Sequence, residues 1–353
     1  MKVRRGLSKV GYTAIIVVVV VLVAVAGIYV AFPSLLGVKS TTTSGAKPYN
    51  ILLMLTGGLT ATWDRANIAG LEQAAENLNS TSRPIHLAVV GNLPYDPTAE
   101  YDYINGYAQL GKYNLIIIAD QDNPVDTVKI AQAYPNTEFV GMNIPTGNLT
   151  KNLSEITWNM WEGYYPAGIL AGLMTKSNVV GFVTAFWFSK TAEIFNAFKQ
   201  GVLSVNPNAK VLYALTADWS DPTKGASAAS ALISAGADVV IGVGDGMTDG
   251  VISQCASLKV YTFGYIYDES NLAPNYIITS VLWIPTAYYL TAVNASFSSN
   301  FGGQDWVYGA RQHTVGLAPI ASWVPSSAAN QAEQAMQNLY TGQLTLVPNA
   351  TVP

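Results

Sequence analysis

From residue 48 onward, short apolar runs alternate with segments long enough to form helices. Apolar runs buried on both faces are typical of parallel strands, and the intervening segments have the length of crossover helices. We predict strands at residues 50–55, 85–90, 113–119, 138–143, 179–184, 211–217, 238–243, 261–265 and 277–281. We predict helices at residues 64–78, 98–110, 125–133, 164–174, 189–205, 222–235, 247–258, 285–297 and 326–341. Two αβ series of similar size favour two Rossmann-like lobes, and the alternation alone leaves a barrel open.

The amino-terminal end has the pattern of a membrane anchor. Residues 10–38 contain no charged residue, and residues 13–32 are almost wholly apolar, which is enough for the roughly 20 residues of a spanning helix. Four basic residues precede this run and predict that the amino terminus is inside. A secretory signal peptide is the competing interpretation. We expect residues 1–38 to anchor an extracellular domain to the cytoplasmic membrane, at the cell surface.

Two further patterns agree with an outside domain. Arg4-Arg5-Gly6, followed by Leu7-Ser8 and the apolar run, resembles the class III, pilin-type signal of archaeal surface proteins, which implies cleavage after Gly6. Residues 39–47 are rich in hydroxyl side chains and read as a flexible tether. The predicted glycosylation sites are the sequons at Asn79, Asn148, Asn152, Asn294 and Asn349.

Composition argues against several kinds of chemistry. Four of the 18 basic residues lie before residue 10, so from there onward 14 basic residues face 22 acidic ones, and nucleic acid is not an expected partner. Cys255 is the only cysteine, which excludes an intrachain disulfide and a thiolate metal cluster. No G-x-S-x-G motif is present to support a Ser-His-Asp site. We predict no metal and no cofactor.

Two loops have ligand-binding patterns. Residues 242–246, Gly-Val-Gly-Asp-Gly, lie between a predicted strand and helix, but Met247 replaces the last glycine of a dinucleotide motif. A turn whose backbone amides meet a ligand is the better interpretation. Residues 120–126 carry three aspartates without the central Gly and terminal Glu of a calcium loop, so we expect a helix-capping turn there.

A set of motifs in fixed order resembles one family. The motifs are Tyr-Tyr-Pro-Ala-Gly-Ile-Leu-Ala-Gly-Leu-Met-Thr-Lys at 164–176, Val-Gly-Phe at 180–182, Gly-Val-Leu-Ser-Val-Asn-Pro at 201–207, Trp-Ser-Asp-Pro at 219–222 and Gly-Ala-Asp-Val at 236–239. Together they resemble the basic membrane protein, PnrA-like family of ABC-transporter solute-binding receptors. The resemblance implies an α/β fold of the type I periplasmic-binding-protein class, with two lobes joined by three crossings and a ligand between them. Family members mostly bind purine nucleosides or bases.

The resemblance also implies how the chain divides. Residues 48–150 and about 266–300 would form lobe 1, and residues 151–265 and about 301–345 would form lobe 2. Residues 143–155 and 300–304 are the flexible candidates for crossings between the lobes.

The resemblance implies roles for individual residues. Trp63 would stack on the ligand ring, Asp64 and Asn143 would bind its edges, and Phe186 with Trp187 would form the second wall. Where nucleoside receptors hold the ribose with an acid, this chain has Ile266, and where they have a nearby lysine it has Trp283, which favours a free base. The predicted ligand-binding residues are Trp63, Asp64, Asn143, Phe186, Trp187, Trp219, Gly244, Asp245, Gly246, Asp268 and Trp283.

We therefore expect an extracellular receptor that closes by a hinge on a purine-like molecule and delivers it to an ABC permease, without catalysis. Two alternatives remain open from the sequence. One is a surface sensor or pilus-associated module that uses the same closure to signal. The other is an extracellular nucleoside-acting enzyme, for which Asp64, Asp245 and Asp268 are the candidate acids or bases.

Overall fold

The computed structural model describes residues 46–94, 96–119, 124–142, 144, 147–299 and 301–353. The predicted anchor, the pilin-type signal, most of the tether and Asn143 lie outside these residues. Within the described ranges, no helix is long and apolar enough to cross a membrane.

The strands and helices alternate as the apolar runs predict. The strands are β1 (Tyr49–Leu55), β2 (Ile85–Val90), β3 (Leu115–Ala119), β4 (Glu138–Met142), β5 (Leu153–Trp158), β6 (Val179–Thr184), β7 (Lys210–Leu215), β8 (Val239–Val243), β9 (Tyr261–Ile266), β10 (Ile277–Trp283), β11 (Asp305–Tyr308) and β12 (Val315–Leu317). The helices are α1 (Thr62–Leu78), α2 (Pro97–Ala108), α3 (Pro124–Ala133), α4 (Trp161–Met174), α5 (Ser189–Val205), α6 (Pro222–Ser234), α7 (Gly246–Ser257), α8 (Thr286–Ala295) and α9 (Ser326–Thr341). Every predicted strand and helix is present, with ends that differ by three residues at most.

The strands form two separate sheets, which confirms two lobes over a barrel. The first sheet has the order β11-β5-β4-β3-β1-β2, and every neighbouring pair in it is parallel. The second has the order β12-β10-β9-β8-β6-β7, in which only β12 is antiparallel to its neighbour. Central strands such as β3 and β8 are buried along their whole length because helices cover both faces.

The chain passes between the sheets three times: after β5, after β10 and after β11. These crossings are joined by hydrogen bonds. The Asn159 N–H donates to the Tyr308 carbonyl at 2.7 Å, and the Ile284 N–H donates to the Thr314 carbonyl at 2.8 Å. The Ala310 N–H donates to Glu162 Oε2 at 2.6 Å. Linked in this way, the three crossings form one hinge.

The lobe boundaries differ from those expected. Strand β5 was expected in lobe 2 but pairs with β4 in the first sheet, so the first crossing follows Trp158 and not the Pro- and Gly-containing stretch before it. Strand β10 was expected in lobe 1 but pairs with β9, while β11 pairs with β5. The reason is that sheet membership is decided by pairing between strands far apart in sequence, which apolar runs do not encode.

The predicted glycosylation sites differ in their surroundings. Asn79, Asn148, Asn294 and Asn349 are exposed. The Asn152 side-chain nitrogen, to which a glycan would attach, donates to the carbonyls of Ala131, Tyr134 and Thr137 at 2.8, 3.1 and 2.9 Å. Asn152 therefore closes the end of α3, whereas the other four sites stay predictions.

Helices α4 and α5 approach each other through glycine. A Cβ atom built on Gly168 would lie 2.1 Å from the Phe198 carbonyl oxygen, and one built on Gly201 would lie 2.0 Å from the Tyr165 carbonyl oxygen. Both neighbours are backbone atoms and cannot turn away. The small residues at these positions therefore let two backbones pack in direct contact.

We expect Gly201→Ala to lower the free energy of unfolding by about 1–3 kcal/mol, because the added methyl group forces the two helices apart. The matched control is Gly106→Ala in α2, where nothing lies within 4 Å of a built Cβ. That change should stabilise the protein by up to about 1 kcal/mol through helix propensity. Urea unfolding of both variants measures the difference, and equal effects would contradict the close-packing argument.

Candidate functional site

A cavity of about 100 Å³ lies between the two sheets, at the carboxyl ends of their strands. Open parallel sheets bind ligands at this edge because loops there leave the sheet in different directions. The lining residues from the first lobe are Thr56, Gly57, Trp63, Ala119, Trp158 and Met160. Those from the second lobe include Phe188, Lys190, Thr191, Trp219, Asp245 and Tyr265.

Two tryptophans, Trp63 and Trp158, form one aromatic wall of the cavity, and a third, Trp283, supports them from behind. Trp63 lies in the first turn of α1 and stacks on Trp283, with ring centroids 4.1 Å apart and planes 8° from parallel. Trp158, at the end of β5, lies against Trp63 at 5.2 Å. Trp63 is only 8% exposed. Trp283 does not itself line the cavity but holds one face of Trp63, so that ring is fixed in orientation.

Asp245 connects the second lobe to the first helix of the first lobe. Helix α1 has no side-chain cap of its own at Ala61. The Trp63 N–H donates to Asp245 Oδ1 at 2.8 Å, so the carboxylate satisfies an N–H that the helix start leaves free. Burial, and then the charge of Asp249, raise the pKa of Asp245, while hydrogen bonds from the Trp63 and Thr62 backbone lower it. An acid of one lobe thus caps a helix of the other.

Asp64 is the second acid beside the cavity. It is 1% exposed, and neither carboxylate oxygen has a hydrogen bond of ordinary geometry among the described residues. Gly57, which lines the cavity, leaves it room, because a Cβ there would lie 2.6 Å from Asp64 Oδ2. Burial, followed by the charge of Asp245, raises the pKa of Asp64 to about 8, although the Gly57 backbone offsets part of that rise. At neutral pH this side chain is mostly a carboxylic acid that can donate a hydrogen bond.

Lys190 brings a positive charge to the same cavity from the first turn of α5. Its Nζ is 3.1 Å from Glu193 Oε2 and 5.8 Å from the ring centroid of Trp158. Because Trp158 belongs to the first lobe, the ammonium group reaches across the cleft. Lys190 is 9% exposed, which is unusual for lysine.

A second, more polar cavity of about 340 Å³ lies beside the first. Thr60, Thr62 and Arg65 line it from the first lobe, and Asp249, Asp268 and Glu269 are among its second-lobe residues. The Arg65 guanidinium lies 5.4 Å from the Tyr267 ring centroid, also across the lobes. Asp268 is exposed and faces this second cavity.

The predicted site residues therefore separate into three groups. Trp63, Trp219 and Asp245 line the first cavity, and Asp64 lies directly behind Gly57. The residues beside or behind lining groups are Gly244, Gly246 and Trp283. The residues outside the first cavity are Phe186, Trp187 and Asp268. Asn143 lies outside the described residues.

Phe188, not the two aromatic residues before it, is the member of its loop that reaches the cavity. Trp187 packs inside the second lobe against Phe195 and Tyr213, at 5.4 and 5.3 Å. Phe186 is 45% exposed and meets the Trp219 ring at 5.8 Å. Trp187 thus belongs to the packing of its own lobe, and a ligand role for either ring stays a prediction.

Sequence reasoning missed Trp158, Phe188, Lys190 and Tyr265. Tyr265 lies near the carboxyl end of β9 and Phe188 follows β6, so the strand-end rule could have found these two residues. Trp158 ends a strand that the apolar pattern did not reveal.

With the cleft and its lining established, comparison with known proteins identifies the family. The model of the family described as ABC transporter substrate-binding protein, PnrA-like, matches residues 75–353. The chain belongs to this family. The PnrA-like resemblance carried by the 164–176 motif is thereby confirmed.

Two relatives differ in the ligand that their names give. A purine-binding protein of Brucella abortus is 28% identical over 221 residues, a match that covers 62% of this chain and 61% of that protein. A putative ABC transporter glucose-binding protein of Haloferax volcanii is 26% identical over 206 residues, covering 58% of this chain and 51% of that protein. In both cases the match spans less than two thirds of the relative's length.

The fold is shared with solved structures. The crystal structure of an ABC transporter solute-binding protein from Aeropyrum pernix K1 superposes with a TM-score of 0.72, at 16% identity, over 86% of this chain and 94% of that chain. At this identity the likeness concerns the fold alone. It confirms the two-lobe periplasmic-binding-protein architecture of this PnrA-like protein.

We expect the free energy of unfolding to fall as pH rises from about 4 to about 8, because Asp64 ionises near its usual pKa of 3.8 when unfolded but only at about 8 when folded. The folded state binds the extra proton across this window, so raising the pH favours unfolding. Asp64→Asn removes the ionisable group and should reduce the loss between pH 5 and pH 8 by on the order of 2 kcal/mol or more.

Urea unfolding at the two pH values measures this loss. The exposed Asp102, on α2, provides the control, since Asp102→Asn should leave the loss as it is in the unmodified protein. A pH dependence that is the same in all three proteins would show that Asp64 does not titrate as a buried acid.

Proposed function

We propose that this PnrA-like protein is the extracellular substrate-binding component of an ABC importer, and that it captures a purine base between its lobes. The observation that carries the proposal is the meeting of a fixed tryptophan wall and the Asp245 carboxyl group in one interlobe cavity, with the Asp64 carboxyl group directly behind Gly57. A flat heterocycle needs both an aromatic face and hydrogen-bonding groups at its edge. The name of the Brucella relative supports the same ligand class.

The aromatic residues come from both lobes, as closure on a flat ring requires. Trp63 and Trp158 belong to the first lobe, and Phe188 and Trp219 belong to the second. Phe188 and Trp219 contact each other edge to face at 6.1 Å. A base entering between these pairs would be covered on both faces once the lobes come together.

A base is favoured over a nucleoside by the surroundings of Ile266. This residue takes the place of the acid that holds ribose in nucleoside receptors, and it is 1% exposed, with a backbone φ of 68°. A buried aliphatic side chain offers ribose hydroxyls no hydrogen bond. Asp268 is turned to the second cavity instead.

Closure is coupled to the site through Asp245. Its hydrogen bond to the Trp63 N–H joins the lobes beside the aromatic wall, and it can form only when the lobes approach. Ligand binding between the lobes would therefore favour the state in which α1 is capped. The proposed route then follows the family: release of the base to a membrane permease.

We also propose that the protein works at the cell surface, held to the cytoplasmic membrane by its apolar amino-terminal segment. The four basic residues before that segment and the hydroxyl-rich tether after it support this arrangement. Protease accessibility of the carboxyl-terminal domain on intact cells tests the location directly.

Calorimetric titration of the purified protein with adenine, hypoxanthine, guanine, their nucleosides and glucose tests the ligand class. We expect a purine base to bind and to be recovered unchanged, because the proposal requires no reaction. Binding of glucose with no heat from any purine would reject the proposal. Conversion of a nucleoside to its base would favour the enzyme alternative.

We expect Trp63→Leu to weaken purine binding by about 1–3 kcal/mol, the usual contribution of a base stacked on an aromatic ring. The control is Trp323→Leu. Trp323 also stacks on an aromatic ring, Tyr261 at 5.0 Å, but does not line the cavity. Equal effects of the two changes on affinity would remove Trp63 from the site, and thermal unfolding of both variants checks that each is folded.

A further inference from the structure

Two side chains that can only donate hydrogen bonds lie near each other along the first cavity. Lys190 offers an ammonium group, and Trp158 offers an indole N–H. The Lys190 Nζ is 5.8 Å from the Trp158 ring centroid, although the residues belong to different lobes. Among the described residues, the hydrogen bonds and ion pairs of the Lys190 side chain go to Glu193 alone.

Both groups have hydrogen-bonding capacity left over. Trp158 is 4% exposed, and its Nε1 is buried with no hydrogen-bond partner among the described residues. The Lys190 ammonium has three N–H donors, of which Glu193 takes one. Buried donors are almost always paired in folded proteins, so the unpaired Trp158 N–H, next to a lysine that lines the cavity, points to a ligand that brings acceptors.

The carboxyl groups at and behind the cavity, which can accept hydrogen bonds, are those of Asp245 and Asp64. Asp245 lines the cavity, and its carboxylate accepts hydrogen bonds from the Trp63 and Thr62 backbone. Asp64 lies next to this region behind Gly57. The cavity is therefore lined by donor side chains from β5 and α5 and by the Asp245 carboxyl group from the β8–α7 loop.

On this basis we propose that Lys190 is a specificity-determining residue that selects 6-oxopurines over 6-aminopurines, by donating to O6 and N7. This inference rests on the proposed purine-binding function. A 6-oxopurine has O6 and N7 as adjacent acceptors, whereas adenine has N7 beside an amino donor. An amino group facing an ammonium group leaves both without a partner, and that mismatch disfavours adenine.

The other edge of the ring fits the same orientation. With O6 and N7 toward Lys190 and Trp158, a 6-oxopurine turns its N1–H away from them, as a donor for a carboxyl group such as that of Asp245. Adenine carries an unprotonated N1 at that position and cannot donate there. Both edges thus select the oxo form over the amino form.

The test is calorimetric titration of the full chain with hypoxanthine and with adenine, which differ at position 6 and N1. We expect hypoxanthine to bind at least about tenfold more tightly than adenine. Lys190→Met should reduce this ratio to about threefold or less. Since both ligands are measured on each variant, a general change in lobe closure cancels from the ratio.

Lys199→Met is the matched control. Lys199 lies on the same helix, with its Nζ 5.9 Å from the Phe195 ring centroid, and does not line the cavity. This change should leave the hypoxanthine-to-adenine ratio unaltered. If Lys190→Met does not fold, Lys190→Gln and Trp158→Phe supply the test, because each removes donors while keeping most of the side-chain volume, and each should lower the ratio.

The outcomes separate the two proposals. Equal or tighter binding of adenine by the unmodified protein overturns the role of Lys190 and leaves purine capture standing. An unchanged ratio in the folded Lys190 and Trp158 variants has the same meaning. Absence of binding by every purine overturns both proposals, whereas a high ratio that falls only in the Lys190 and Trp158 variants supports them together.

Discussion

The hydrogen bond between Asp245 and the Trp63 N–H is the contact on which the arrangement of the cleft depends. Helix α1 starts without a side-chain cap in its own lobe, so the protein group that its Trp63 N–H bonds is the Asp245 carboxylate of the second lobe. The same contact brings two acids near each other and contributes to the raised pKa of Asp64. One carboxylate thus caps α1, joins the two lobes and adds to the effect that burial has on the pKa of Asp64.

The aromatic residues complement that contact. Trp63 contacts both Trp283 and Trp158, which also contact each other, so the ring next to the capped backbone has little freedom to rotate. A wall that is already ordered loses less conformational entropy when a ligand stacks on it. Lys190 adds the one basic group among the described lining residues of this cavity. The site therefore combines a rigid apolar surface with one basic and one acidic lining group. In small-molecule sites, a few placed polar groups of this kind fix the orientation of the ligand and provide specificity.

The sequence predicts those strands and helices whose positions follow directly from the pattern of buried apolar residues. The ends of β6 and α9 agree with prediction to the residue, because apolar runs and helix-length segments report them directly. Strands β5, β11 and β12 were missed: β5 carries the buried Glu155, and β11 and β12 are short. The family resemblance pointed to Trp63, Asp245 and Trp219, which line the cavity. Lys190 could not be found in this way, since a lysine at a helix start normally faces solvent and its burial follows from the partner lobe.

The glycine contacts between α4 and α5 have a mechanical consequence. Helix α4 begins directly after the first crossing, and α5 begins with the turn that carries Lys190 and Thr191. Because Gly168 and Gly201 bring the two backbones into contact, α4 and α5 cannot slide independently. The two helices therefore move as one body, with one end at the crossings and the other, at Lys190, in the cavity. A small rotation of the hinge at Glu162, where Ala310 bonds to it, would therefore also move the Lys190 ammonium group.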